Sequence, residues 1–189
     1  FLTLLLYFWR TRNWLKTRPR SNVDFFVFAI VALLQIFLIK AGMFIAVAVN
    51  RAFPFISTDA CYFAVPFACG AMIIAVLINR NLAMVMSIFI AFLNNLLFDE
   101  NLIYPLFGFL GSVAASYHIV KSHQRSMLLK VGLFLSVVNM GIIISLNLLT
   151  GQLLDDLLIR LVMGLLGGVV TGVLVAGITP VFESIFGFI

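Results

Sequence analysis

The chain is predicted to be all-α: a polytopic transmembrane helix bundle of six complete spans plus the end of a seventh, which comes first in chain order. Three observations predict this. Of 189 residues, 63% are hydrophobic and only 10% are charged, where a water-facing domain carries about 25% charged residues. Apolar stretches close to span length recur along the whole sequence, whose mean hydropathy is +1.19, and a spanning helix needs about 20 such residues. Lys and Arg concentrate in alternate loops, which is the signature of membrane topology.

The first stretch, 1–9, is about half a span, and its basic cluster follows rather than precedes it. A secretory signal peptide has the opposite order. We expect it to be the end of a truncated helix, with more chain before Phe1 in the natural protein. Stretches 24–50, 62–79, 82–98, 101–120, 131–149 and 158–179 are each expected to cross the membrane. Pro66 and Pro105 fall inside two of them, where each frees a carbonyl and bends the helix unless a neighbour re-pairs it.

Charge sets the predicted orientation. Arg10, Arg12, Lys16, Arg18, Arg20, Arg80, Lys121, Arg125 and Lys130 fall on one side, nine of the twelve Lys and Arg. The other side holds Arg51 with Asp59, Asp99, Glu100, Asp155 and Asp156. By the positive-inside rule the first side is cytoplasmic, so the last span ends in the cytoplasm. The net charge of +5 then marks membrane orientation, and no nucleic-acid partner is expected.

Groups able to do chemistry are few. His118 and His123 straddle a helix end and a basic loop, with no Cys, Asp or Glu beside them to complete a metal shell. Cys61 and Cys69 are placed on one helix about 12 Å apart, too far to bridge. No serine-hydrolase elbow, phosphate-binding glycine loop or zinc-protease motif occurs. No catalytic residue, metal ligand or cofactor is therefore assigned to this chain.

Polar groups inside spans are costly, about 2.5 to 3.5 kcal/mol for a charge at mid-membrane on insertion scales. Lys40 and Gln35 form the candidate intramembrane polar site, although about 140° separates them around the helix. The competing reading of Lys40 is a stem snorkelling toward acidic residues at the span end. Asn94, Asn95, Ser136, Asn139, Asn147 and Thr171 read as interhelical hydrogen-bond groups, with Ser136 and Asn139 sharing one face. The pairs Asp99/Glu100 and Asp155/Asp156 read as helix-start carboxylates, and Asp156 is placed to pair with Arg160 four residues on.

The last span carries Gly164, Gly168 and Gly172 four apart, a spacing that lets helix backbones meet. That stripe serves either packing within the bundle or a dimer, and the larger number of internal neighbours favours the first. Pro180 frees the Ala176 carbonyl, so a bend is expected there, with Glu183 in the following turn.

The pattern Gly177-x-x-Pro180-x-x-Glu183-x-x-Phe186 resembles the end of the membrane region in bacterial seven-transmembrane receptors with an intracellular HD hydrolase domain. Tyr62-Phe63-Ala64-Val65-Pro66, Leu82-Ala83-Met84-Val85 and the loop from Gln124 to Lys130 are also similar to that family. The resemblance implies an extracellular domain after the first helix, seven spans in the bacterial cytoplasmic membrane, and a cytoplasmic HD phosphodiesterase that hydrolyses cyclic di-AMP. Divalent metal ions would belong to that HD domain, since no histidine here is followed by Asp. The implied role of this chain is to anchor the enzyme and transmit a signal, with Gly177, Pro180, Glu183 and Phe186 coupling to the cytoplasmic domain. Its implied partners are the lipid bilayer and its own extracellular and HD domains; an unidentified ligand and a second copy complete the list. The rival reading is a substrate-binding membrane subunit of a vitamin or small-molecule transporter. Against it, the sequence shows no broken helices in matched halves.

Overall fold

The structure is a computed structural model that describes residues 21–98, 101–119, 125–151 and 156–186. The predicted partial span 1–9 lies outside these residues, as do Asp99, Glu100, Asp155 and His123. Seven helices and no strands occur among the described residues: α1 (Ser21–Ala52), α2 (Thr58–Tyr62), α3 (Cys69–Leu77), α4 (Arg80–Leu97), α5 (Ile103–His118), α6 (Arg125–Thr150) and α7 (Leu157–Phe186).

The all-helical bundle agrees with the sequence expectation, but the count of six complete spans does not carry over. Four helices have both the length and the hydropathy to cross a membrane: Val23–Ala52, Arg80–Leu97, Ser126–Thr150 and Leu157–Phe186. The α5 helix has 16 residues, about 24 Å at 1.5 Å per residue, short of the roughly 30 Å hydrocarbon core.

The larger departure concerns 62–79, which is not one helix. It is divided between the five-residue α2 and the nine-residue α3, with turns between them. Pro66 accounts for the interruption, because it has no N–H to donate and biases Val65 away from helical geometry. Around it the chain makes tight local bonds, Phe67 N–H to Val65 O at 2.8 Å and Cys69 N–H to Pro66 O at 3.3 Å. Cys61 and Cys69 consequently lie on different helices, both free and both buried.

An interruption inside an apolar solvent leaves amide groups that water cannot reach. Gln35 from α1 supplies partners on both sides of it. Its Oε1 accepts from Gly70 N–H at 2.8 Å, and its Nε2 donates to Pro66 O at 3.3 Å. Gly70 makes room for this approach, since a methyl there would meet Gln35 Oε1 at 3.0 Å and Met86 Cε at 2.9 Å. All but one residue of α3 is buried, and the helix packs against α1, α4, α5 and α7.

The α6 and α7 helices form the tightest pair. A methyl on Gly132 would lie 2.7 Å from Gly172 Cα, and one on Gly168 would overlap the backbone of Ser136. With the backbones this close, Ser136 Oγ donates to Leu165 O at 2.8 Å and Asn139 Nδ2 donates to Gly164 O at 3.1 Å. Gly167 turns to the neighbouring face of α7 and meets the interruption, where its methyl would stand 2.5 Å from Phe63 O. Elsewhere Asn79 caps α4 through Leu82 N–H at 2.8 Å, and Arg80 lies 4.6 Å over the Tyr117 ring of α5.

Two stability outcomes follow from these contacts. Gln35→Leu strands the Gly70 N–H, while the Pro66 carbonyl keeps its bond from Cys69 N–H, and is expected to cost about 1 to 3 kcal/mol for the one orphaned group; thermal unfolding of the purified protein reads this directly. Gly168→Leu separates α6 from α7 and should abolish monodisperse folded protein on size exclusion. Gly177→Ala, where a methyl meets nothing within 4 Å, should leave the elution profile unchanged.

Candidate functional site

The residues singled out for coupling lie along the last turns of α7, which runs as a single helix through Pro180 to Phe186. Pro180 is half-buried and Gly177 is exposed. Thr179 is 3% exposed, and its Oγ1 finds no hydrogen-bond partner among the described residues. Glu183 is half-buried and makes no ion pair among the described residues. Of the basic residues placed on the cytoplasmic side, Arg10 to Arg20 and Lys121 lie outside the described residues, whereas Arg80, Arg125 and Lys130 lie within them.

Aromatic contacts fasten this end of α7. Phe186 stacks on Phe182 at 6.0 Å and meets Phe26 of α1 edge-on at 6.3 Å. The first turns of α1 and the last turns of α7 are thereby joined. At the opposite end of α7, Arg160 Nη1 donates to Asn147 Oδ1 of α6 at 2.8 Å. Close to that end an aromatic cluster connects α2, α4 and α5. Tyr104 lies 4.5 Å from Phe98 and 5.4 Å from Tyr62, and its hydroxyl donates to Asp59 Oδ1 at 3.3 Å. Phe63 belongs to the same cluster, 5.0 Å from Phe107, while its carbonyl lies against Gly167. One chain of contacts therefore runs from α2, through the interruption, onto α7.

The two members of the intramembrane polar pair part company. Gln35 is fully buried and engaged with the interruption, whereas Lys40 is exposed on α1. The stripe Gly164, Gly168 and Gly172 faces α6. Of the interhelical polar groups, Ser136, Asn139 and Asn147 make the contacts given above, and Thr171 Oγ1 donates to Gly167 O within its own helix at 2.6 Å. Asn94 does not behave as one. It is fully buried between α4 and α5, its Nδ2 pressed against Gly108, and neither amide atom has a hydrogen-bond partner. Close fit of α4 on the glycine face of α5 encloses the amide without offering it a backbone group.

A small cavity of about 10 Å³ opens where the interruption, α5, α6 and α7 meet, lined among others by Val65, Phe67, Gly111, Asn139 and Thr171. Sequence reasoning did not find it. The separate signals, Pro66, Gly111 and Asn139, are legible, but their convergence depends on tertiary packing. His118 stacks on Phe134 at 4.0 Å, an interfacial packing role. Among the described residues no three His, Cys, Asp or Glu side chains come together to hold a metal.

Residues 1–189 match the family described as 7TM receptor with intracellular HD hydrolase. The chain is also 27% identical, over 195 aligned residues, to the cyclic-di-AMP phosphodiesterase PgpH of Bacillus subtilis (strain 168). That alignment covers 99% of this chain and 26% of the relative, so the chain spans about a quarter of the length of the protein it matches. No solved structure matches it. With a family match across all 189 residues and a bundle of membrane-spanning helices, the chain belongs to the 7TM receptors with an intracellular HD hydrolase.

Proposed function

We propose that this chain is the membrane domain that anchors an HD phosphodiesterase and passes a displacement from one side of the bilayer to it, and that the attached enzyme hydrolyses cyclic di-AMP. The observation that carries the transmitting role is the course of α7. This helix touches the interruption at Gly167 and continues without a break to Phe186, so a shift of α2 relative to α5 has a rigid element to act on. A helix transmits such a shift because its hydrogen-bonded backbone is stiff, and packed interfaces switch between discrete arrangements rather than deform continuously.

The charge map supports a cytoplasmic end for α7. Nine basic residues lie on that side, and Arg51 alone faces them from the loops of the other. The substrate assignment rests on the relative's activity. In this reading divalent metal ions belong to the HD domain, the membrane is the bacterial cytoplasmic membrane, and Pro180 and Glu183 stand where the membrane domain hands over. Lys40 within a span favours the transporter reading, as does the interrupted segment 58–77. Such sites use a pair of interrupted helices in matched halves, and the described residues contain no counterpart to it.

The intact parent protein, reconstituted in lipid, should convert cyclic di-AMP to a linear product when divalent metal is supplied. Absence of hydrolysis would remove the substrate assignment. In the same preparation Pro180→Ala or Glu183→Gln should change activity about fivefold or more, the lower range of ordinary coupling between sites. If both variants match the parent in rate, the chain anchors the enzyme and transmits nothing through these residues.

A further inference from the structure

The cavity at the meeting point of the interruption, α5, α6 and α7 is small, and Asn139 and Thr171 bring polar side chains to its otherwise apolar wall. Its volume is about 10 Å³, at the lower bound of the roughly 10 to 15 Å³ that admits one water molecule. Asn139 lines it and is 5% exposed. The Asn139 side chain uses Nδ2 on Gly164 O, and its Oδ1 receives no hydrogen bond among the described residues. That oxygen lies 3.2 Å from where a methyl on Gly111 would stand, so it faces α5 across the cavity.

Phe67 lines the same space, and among the described residues no backbone N–H bonds its carbonyl. The start of α3 at Cys69 is the reason, because Phe67 precedes the helix and the i+4 bond that would use its carbonyl is not made. Thr171, the third polar member, gives its hydroxyl proton to Gly167 O and keeps only lone pairs for the cavity. Asn139 Oδ1 and the Phe67 carbonyl thus belong to residues that line the cavity and have no donor among the described residues.

We propose that this cavity seats one ordered water, which donates one O–H to Asn139 Oδ1 and the other to the Phe67 carbonyl. A guest with O–H groups to give is what Asn139 Oδ1 requires. A monovalent cation satisfies oxygen acceptors too, but no carboxylate lines the cavity, and an ion there would be buried without a countercharge. A dry cavity would leave two acceptors unpaired where lipid and protein offer no substitute. The water completes the backbone pairing that Gln35 begins on the other side of the interruption.

The test uses the intact parent protein in lipid nanodiscs. A high-resolution map should show a peak about 2.7 to 3.2 Å from Asn139 Oδ1. The peak should vanish in Gly111→Ala, whose methyl takes the space, and Tm should fall by about 2 to 4 °C. Asn94→Leu is the internal control: its buried amide has no partner among the described residues and Asn94 is not among the residues that line the cavity, so removing that amide should raise Tm. Three results would overturn the proposal. One is a map empty at that point while the Asn139 and Phe67 side chains are resolved. Another is a rise in Tm for Gly111→Ala, as filling a dry void would give. The third is stabilisation by sodium over potassium or choline at equal ionic strength, which would assign the site to a cation.

Discussion

A polypeptide that stops being helical where it is buried among other helices must find partners for the amide groups it releases, and that constraint organises this bundle. Pro66 stops the helix, and the residues around it turn tightly enough to re-pair some groups locally. The rest are met from outside the segment, above all by the Gln35 amide, which gives and takes one hydrogen bond across the interruption. An amide is the side chain suited to this because it carries a donor and an acceptor without charge. Gly70 completes the arrangement by letting the glutamine reach the backbone.

Once the interruption is tolerated, it becomes a place where elements of different origin touch. The short α2 ends in the aromatic cluster with α4 and α5. The buried α3 fills the centre. The α7 helix approaches the interruption with Gly167 and approaches α6 with Gly168 and Gly172, so it is held on two faces by backbone-distance contacts. Small residues are what make such packing possible where the hydrophobic effect provides no force between helices. Such contacts fix α7 against both neighbours. The last turns of α7 are joined to α1 through Phe26 and Phe186, which ties the start of α1 to the end of α7.

Much of this was legible in the sequence, and the parts that were not share a cause. Composition and charge alternation give the helical membrane class, and the spacing of Gly164, Gly168 and Gly172 foretells a close helix pair, though the partner, α6, is found only in the fold. Ser136 and Asn139 were identified as interhelical groups and do bond to α7. The division of 62–79 was missed because Pro66 alone allows either a kinked helix or an interrupted one, and which occurs depends on whether a partner such as Gln35 lies alongside. Gln35 was grouped with Lys40 on the strength of polarity, but the structure separates a buried backbone partner from an exposed cation. Asn94 was read as an interhelical bond that is not formed. Hydropathy describes how a side chain meets its surroundings on average. It is blind to which backbone group will be left over, and those leftovers decide where Gln35, Asn139 and Asn94 stand.

Hydrogen–deuterium exchange across residues 63–72 of the intact parent protein in nanodiscs tests the central claim most directly. If Gln35 holds the interruption closed within the bundle, the Gly70 amide will exchange as slowly as amides in the middle of α6. Exchange of Gly70 at the rate of an exposed loop, with α6 still protected, would contradict it.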